Sequence, residues 1–364
     1  MYMKGASSFI FRKMSSTTEI MGMMIADAMT SRIETRMGRR GRMWSGRQGR
    51  SSSTQDGGRS TSMRTGNSGH DLTIATTESF QLGEGPLWDP IRERVFWVDI
   101  QAGRAINGAL ADDGSIVVLE VVQLDETVGA VAVSPAGDWL IAGHRRLVHR
   151  SADGALGDGP RILPEHSGSR LNDGKPDPAG RYLIGSLRLS GPSTTESLVA
   201  VDADGSMTTV DDDLTLSNGM VWSADGRTFY NIDTERQTIF CRDYDPVTGA
   251  TGARKIFLTI DDGLPDGMTV DDEEHLWIAI WGLGEIRRYS PTAQLVQTIH
   301  VPAPHTSSVA FAGRALDTLV ITTAREGLTD EQLATFPLSG RIFTTKPGVH
   351  GVQQPLWSGP ARWT

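Results

Sequence analysis

The sequence contains a single cysteine, Cys241, among 364 residues. An internal disulfide is therefore excluded, and we expect a reducing compartment, the cytoplasm. No run of about 18 apolar residues occurs, so no membrane-spanning helix is expected. Convincing long amphipathic helical patterns are missing, and so is a G-x-S-x-G motif. The lack of helical patterns argues against a helical fold, and the lack of the G-x-S-x-G motif argues against a serine nucleophile.

The formal net charge of −9 hides an asymmetry along the chain. Residues 1–70 carry about 12 Lys or Arg and about 4 acidic residues, which leaves the remainder near −17. A body this acidic disfavours binding to the phosphates of a nucleic acid. It suits a site for a cation.

Residues 1–70 are rich in Ser, Arg, Gly and Met and have almost no apolar periodicity. We therefore expect a disordered basic N-terminal extension that precedes a single domain over 71–364. The segment lacks the apolar run and the cleavage pattern of a signal peptide. A disordered tail, a transit peptide and an extension upstream of the true start all fit this composition.

From residue 71 onward, a turn followed by a short apolar strand recurs six times. The copies are DPIRERVFWVDI from Asp89, SPAGDWLIAG from Ser134, DPAGRYLIGS from Asp177, SADGRTFYNID from Ser223, DDEEHLWIAI from Asp271 and a degenerate FAGRALDTLVITT from Phe311. The spacing of about 40 to 48 residues is typical of a propeller. The sequence therefore predicts an all-β, six-bladed β-propeller with about four strands in each blade. Closing the ring requires one blade to combine both chain ends, and 72–77 with 343–357 are the candidates.

The stretch from Ser169 to Ser186 concentrates the candidate chemistry. Arg170 and Asn172 are polar residues in a predicted loop, and Asp173-Gly174 reads as a turn pair. A second turn and a buried strand are expected to follow.

Polar residues precede four of the six repeats. They are Glu84 in LGEGPLWDP, Arg170 and Asn172 in RLNDG, Asn218 in LSNGMVWSADG and Asp266 in LPDGMTVDDEE. One residue of each motif lies the same number of positions before its turn, namely Glu84, Asn172, Asn218 and Asp266. Since equivalent positions of different blades converge on the propeller axis, we expect these side chains to meet in the central channel.

Two carboxylates and two carboxamides around one axis offer hard oxygen ligands. Such a set favours Ca²⁺ and also admits Mg²⁺ or Mn²⁺, whereas Zn²⁺ matches less well without Cys or His. Ordinary turn chemistry explains any one Asn-Gly or Asp-Gly pair taken alone. Four such positions in register with the repeat favour one divalent cation in the channel.

The chain resembles the regucalcin/gluconolactonase family, also called the senescence marker protein family. The resemblance is carried by LGEGPLWD, RLNDGKPDPAGRYLIGSL, LSNGMVWSADGRTFYNIDT, GLPDGMTVDDEEHLWIA and LDTLVITTAREGLTDEQL. It implies a six-bladed propeller with one divalent cation, and Glu84, Asn218 and Asp266 as its ligands. It also implies that Arg170 and Asn172 bind substrate. The family uses a further glutamate after the RxNDG strand, but here the loop from Leu187 to Ser197 is short and Glu196 is its only acid.

The resemblance implies metal-dependent hydrolysis of a small sugar lactone to an aldonic acid. A bound cation would polarise the lactone carbonyl, and Asp266 would act as the general base toward water. Two rival readings keep the same fold. One is a metal-dependent esterase or phosphotriesterase, and the other is a calcium-binding propeller without enzymatic activity.

The remaining candidates are expected to be structural. Cys241 reads as a strand residue, His305 as an exposed loop residue, and the tryptophans at 88, 97, 222 and 277 as packing between blades. Trp281 follows a strand end and is a candidate for the pocket wall. Since a closed ring leaves few strand edges, we expect a monomer or a weak homodimer.

Overall fold

The structure, a computed structural model of the protein, describes residues 62–63, 71–191 and 193–359. Within these residues the chain forms six antiparallel sheets and one short helix. The predicted all-β, six-bladed propeller is thus confirmed. No helix in the described ranges is long and apolar enough to cross a membrane. The predicted N-terminal extension falls outside the described residues, apart from Ser62–Met63.

The first three blades follow each other along the chain, each running from an innermost to an outermost strand. Blade 1 contains β3 (Gly83–Asp89), β4 (Arg94–Asp99), β5 (Arg104–Leu110) and β6 (Ile116–Gln123). Blade 2 contains β7 (Ala130–Val133), β8 (Trp139–Ala142), β9 (Arg146–Arg150) and β10 (Leu156–Arg161). Blade 3 contains β11 (Ser169–Pro176), β12 (Tyr182–Arg188), β13 (Glu196–Val201) and β14 (Met207–Leu214).

The last three blades complete the ring. Blade 4 contains β15 (Ser217–Trp222), β16 (Thr228–Asp233), β17 (Thr238–Asp243) and β18 (Lys255–Thr259). Blade 5 contains β19 (Leu264–Val270), β20 (Leu276–Trp281), β21 (Glu285–Tyr289) and β22 (Leu295–His300). Blade 6 contains β23 (Thr306–Ala312), β24 (Thr318–Thr323), β25 (Phe343–Thr345), β2 (Leu72–Ile74) and β1 (Ser62–Met63), and the helix α1 (Asp330–Thr335) lies between β24 and β25.

The repeated turn joins the innermost strand of a blade to its second strand. In blade 3, Asp177 accepts hydrogen bonds from the backbone N–H and the guanidinium of Arg181, at 2.7 and 2.8 Å. Gly180 adopts a φ of +90°, which a glycine reaches without strain. In blade 5, Asp271 likewise accepts from the backbone N–H of His275 and the indole of Trp277. The aspartate of the repeat therefore fixes both the turn and the adjacent strand.

The core consists of apolar layers between neighbouring blades. The four tryptophans expected to pack there are buried: Trp88, Trp97, Trp222 and Trp277. Between blades 1 and 2, the ring centroids of Phe96 and Trp139 lie 4.9 Å apart in an edge-to-face arrangement. Because each layer is shared by two blades, the blades hold the innermost strands at fixed positions around the channel.

The ring closes in blade 6, within the two segments predicted from the sequence. Thr73 and Ile74 of β2 pair with Thr344 and Phe343 of β25. The innermost strands also contact each other in a closed series, in the order β3, β7, β11, β15, β19, β23 and back to β3. Beyond β25, residues 346–358 cross the far end of the channel and hydrogen bond to blades 5, 2 and 3.

Substitutions of Thr344 test how much this ring closure contributes to the free energy of unfolding. Thr344 lies in β25 between β24 and β2, and its hydroxyl donates to the carbonyl of Gly114 at 2.7 Å. Thr344→Pro is expected to lower the free energy of unfolding by about 3 kcal/mol or more, because proline removes a sheet hydrogen bond and clashes with the sheet. Thr344→Val, which loses only the hydroxyl bond, should cost about 1 kcal/mol. Urea unfolding measures both values, and equal losses would contradict the closing role of the strand.

Candidate active site

The innermost strands carry the predicted site residues at irregularities of the strand pairing. The register shifts just after Glu84 in β3 and just after Asn218 in β15, and it shifts around Asn172 in β11 and Asp266 in β19. Such bulges bend a strand and re-aim its side chains. Since all four lie where an innermost strand begins, they belong to one end of the channel, called the site end below.

Two details of the sequence interpretation are wrong. Arg170 and Asn172 lie within β11 and not in a loop, and Asp173-Gly174 forms part of the bulge in that strand and not a turn. Asn-Gly and Asp-Gly pairs signal turns in most contexts. Here the neighbouring strand β12 continues past them, so they are incorporated as a bulge.

Blade 2 contributes no polar side chain at the equivalent position, which is occupied by Gly129. A Cβ atom there would lie 2.5 Å from the carbonyl oxygen of Asn172. This glycine lets blades 2 and 3 approach closely at the site end, and any larger residue would displace the backbone of Asn172.

A chain of hydrogen bonds joins the polar residues of blades 3, 4 and 5. The guanidinium Nη1 of Arg170 donates to Oδ1 of Asn172 at 2.8 Å. Nδ2 of Asn172 donates to Oδ1 of Asn218 at 3.2 Å, and Nδ2 of Asn218 donates to the hydroxyl of Thr234 at 3.1 Å. Thr234 in turn donates to the carbonyl of Pro265, next to Asp266. The chain orients the two carboxamides and ties them to the strand that carries Asp266.

The carboxylates of Glu84 and Asp266 are buried, and few hydrogen bonds stabilise their negative charges. Asp266 is 5 % exposed, and its Oδ1 has no hydrogen-bond partner within the described residues. Glu84 accepts one hydrogen bond, from the backbone N–H of Gly85 at 3.0 Å. Burial, reinforced by the charge of Asp173, raises the pKa of Glu84 to about 8. Burial and the charge of Glu84 raise the pKa of Asp266 well above its usual range.

Two neighbouring carboxylates that are buried and accept few hydrogen bonds from the described residues fit a bound cation. A divalent ion would supply the missing partner of Asp266 Oδ1 and neutralise the repulsion between Asp266 and Glu84. No group of three or more His, Cys, Asp or Glu side chains with suitable placement occurs in the described part of the chain. A cation here would therefore depend on the carboxamide of Asn218 as well as on the carboxylates.

A second charged pair lies along the channel wall beside the site. Asp173 and Lys175 belong to β11, and the positive charge of Lys175 opposes the increase that burial causes in the pKa of Asp173. The ammonium of Lys175 approaches the carbonyl of Met268 at 3.5 Å. Both residues line a cavity between the site and the C-terminal segment 352–356. The sequence interpretation gave neither residue a role in function, and it placed Asp173 in a turn.

A third acidic residue of the site end, Glu326, was missed. It follows β24 in the loop TAREGL, where the residue is half-buried, and its carboxylate accepts a hydrogen bond from Nε2 of Gln101 at 2.8 Å. Burial raises the pKa of Glu326, and the charge of Arg170 opposes the increase. The charge of Glu326 in turn opposes the decrease that burial causes in the pKa of Arg170, and it adds to the increase in the pKa of Glu84. The only sequence signal was that TAREGL lay within a stretch carrying the family resemblance.

His305 was expected to be exposed, and this is wrong. Only 5 % of it is exposed, its ring stacks on Trp281 with centroids 4.1 Å apart, and Nδ1 donates to the carbonyl of Glu326 at 2.9 Å. Burial lowers the pKa of His305 to about 4. Trp281, the candidate for the pocket wall, is half-buried and supports this histidine.

Glu196 does not face the channel as a substrate contact. It lies in β13, 2 % exposed, and accepts hydrogen bonds from the hydroxyls of Ser169 and Ser186 at 3.1 and 2.8 Å. Arg188 pairs with it at 3.3 Å. Cys241 lies in a strand, as expected, and is half-buried.

Comparisons with known proteins agree with this architecture. The chain is 36 % identical to pentonolactonase XacC of Haloferax volcanii over 70 % of this chain and 85 % of that protein. It is 34 % identical to the 6-deoxy-6-sulfogluconolactonase of Pseudomonas putida over 76 % of this chain and 95 % of that protein. The crystal structure of regucalcin from Agrobacterium tumefaciens, described as a calcium-binding protein, superposes with a TM-score of 0.73 at 30 % identity and covers 80 % of this chain and 97 % of that one.

The sequence pattern of the SMP-30/Gluconolactonase/LRE-like region matches residues 82–325. This range begins just before Glu84 and ends just before Glu326, and it contains every residue predicted for the site. The chain therefore belongs to the SMP-30/gluconolactonase/LRE-like family.

Proposed function

We propose that this protein is a metal-dependent hydrolase that opens a sugar lactone to an aldonic acid, with the propeller 71–364 as the catalytic domain. The observation that carries the proposal is the placement of two buried, poorly compensated carboxylates beside two carboxamides and Arg170 at one end of the channel. Two relatives named as lactonases, at 36 % and 34 % identity, support it.

Glu84, Asn218 and Asp266 would hold one divalent cation, with Ca²⁺ favoured over Mg²⁺, Mn²⁺ and Zn²⁺ by the all-oxygen donor set. The cation would supply Lewis acidity toward the lactone carbonyl and stabilise negative charge on its oxygen. The regucalcin structure, described as calcium-binding, supports this choice.

Asp266 is proposed as the general base. One oxygen of its carboxylate would ligate the cation, and the other would accept the proton of the attacking water. The hydrogen bond of Thr234 to the carbonyl of Pro265 fixes the backbone that carries this carboxylate.

Arg170 and Asn172 are proposed to bind the substrate. Arg170 uses Nη1 to contact Leu171 and Asn172, and none of the described residues accepts a hydrogen bond from its Nε or Nη2. These N–H groups remain for a lactone oxygen, and a guanidinium stays charged at any working pH. Placing the lactone against this group would orient its carbonyl for attack.

We further propose that the protein is cytoplasmic and acts as a monomer or a weak homodimer. A single cysteine suits a reducing compartment. The pairing of β2 with β25 covers an edge of each strand that an open ring would leave exposed.

The experiment is proton release from the purified full chain with gluconolactone and several other aldonolactones. It is run after chelation and again after adding back Ca²⁺, Mg²⁺, Mn²⁺ or Zn²⁺. Hydrolysis that falls to the spontaneous rate on chelation and returns with a cation supports the proposal. If no lactone is hydrolysed with any cation, aryl esters and phosphotriesters are tried next. If these substrates are not hydrolysed either, the remaining reading is a calcium-binding propeller without enzymatic activity. Calorimetry would then still show cation binding.

A further inference from the structure

Glu326 is held at the site end by three different parts of the ring. Its backbone N–H donates to the carbonyl of Gln81 at 2.9 Å, just before blade 1. Its carbonyl accepts from His305 of the loop before blade 6, and its Oε1 accepts from Gln101 of blade 1. A side chain whose backbone and carboxylate are fixed in this way is pre-organised for contact with a ligand.

The other carboxylate oxygen, Oε2, accepts no hydrogen bond from the described part of the chain, and the residue is only partly buried. Arg170, the proposed substrate-binding residue, is within electrostatic reach of it, and so is Glu84. Glu326 therefore presents a free acceptor that is anchored beside the start of blade 1 and within electrostatic reach of Arg170.

The charges of the site end then cancel in pairs. A divalent cation would balance Glu84 and Asp266, Arg170 acts on Glu326, and Lys175 acts on Asp173 beside the site. Without Glu326, less negative charge would oppose the positive charge of Arg170, which would then attract anionic ligands more strongly. A balanced site end suits a neutral ligand rich in hydroxyl groups.

We propose that Glu326 determines substrate specificity: its carboxylate accepts a hydrogen bond from a hydroxyl of a neutral lactone and repels lactones that carry an anionic group. The inference rests on the proposed lactone hydrolysis and goes beyond it by naming the class of lactone. Glu326 acts on binding and selection, and it takes no part in the proton transfer assigned to Asp266.

The test compares gluconolactone with its analogue in which a sulfonate replaces the C6 hydroxyl. A sulfonate carries one negative charge and binds divalent cations weakly, so it reports on the charge of the protein. The ratio of kcat/KM for the sulfonate to kcat/KM for gluconolactone is measured for the native chain, Glu326→Gln and Glu331→Gln. Glu331 is an exposed acid of α1 outside the channel and serves as the matched control.

Glu326→Gln is expected to raise this ratio about tenfold and to raise the KM for gluconolactone, with a smaller change in kcat. Glu331→Gln should leave the ratio within about twofold of the native value. A ratio in Glu326→Gln that also stays within twofold would overturn the inference, while native turnover of gluconolactone would leave the proposed function standing. Absence of native turnover of either lactone would overturn both.

A second measurement uses the native chain alone and does not depend on how the variant folds. Salt screens charges within about a Debye length, so the native discrimination against the sulfonate should weaken as ionic strength rises. Discrimination that is independent of salt would contradict a role for the charge of Glu326.

Discussion

Asp266→Asn is expected to abolish lactone hydrolysis and, at the same time, to stabilise the chelated protein. The substitution keeps the shape of the side chain and removes the charge of a residue that is 5 % exposed. Its Oδ1 accepts no hydrogen bond from the described residues, and Glu84 repels the carboxylate. We expect kcat/KM to fall by about 10³-fold or more, because both the base and a cation ligand are lost. We expect the free energy of unfolding without cation to rise by about 1 to 3 kcal/mol.

Opposite changes in activity and stability distinguish a catalytic group from a structural one. Kinetic assays with added cation and urea unfolding with chelator provide the two readouts. Asp204→Asn is the matched control, because Asp204 is a carboxylate in an outer turn that accepts a hydrogen bond from the backbone of Ser206 at 2.9 Å. Activity of Asp266→Asn within about tenfold of the native protein would show that another group is the base.

The second large effect is the pH dependence of the stability of the protein after the cation has been removed. Glu84 has a folded pKa raised from 4.5 to about 8, so between these values the folded state binds more protons than the unfolded state. The stability of the chelated protein should therefore fall as pH rises through this interval. His305 acts in the opposite direction below about 6.5, because burial lowers its pKa to about 4. The decrease should thus be clearest between about 6.5 and about 8.

Thermal unfolding of the chelated chain measures this decrease, and adding Ca²⁺ at the upper end of the interval should restore several degrees of melting temperature. Glu84→Gln serves as the control, since it removes the titrating group and should flatten the profile. A melting temperature that stays constant or increases across this interval would mean that the carboxylates are compensated by the protein itself, and no cation site would be needed.

The convergence of Glu84, Asn172, Asn218 and Asp266 could be predicted because the repeat is regular. Each blade begins with the same strand and turn, so an equal distance from the turn in the sequence becomes an equal height along the channel. The bulges could not be predicted, because a local Asp-Gly or Asn-Gly pair gives the same signal in a turn as in a strand. Only the pairing with β12 shows that Asp173 and Gly174 continue β11.

Glu326 could not be predicted for a related reason. It follows the second strand of blade 6, and in that blade the next strands come from both chain ends, with α1 inserted between them. The regular spacing that located the other site residues ends at this point. His305 was misjudged because a loop sequence does not show that an indole, here that of Trp281, will cover it.

The closure of the ring in blade 6 has a consequence for the synthesis of the protein. The hydroxyl of Thr345 donates to the carbonyl of Asp71, 274 residues earlier in the chain. At a translation rate of about 5 to 20 residues per second, β2 is made some tens of seconds before its partner β25. During that time the early blades can pair internally, but the ring stays open and β2 exposes an unpaired edge on the ribosome. The last folding step should therefore wait for the synthesis of β25, and chains that lack β25 should depend on chaperones.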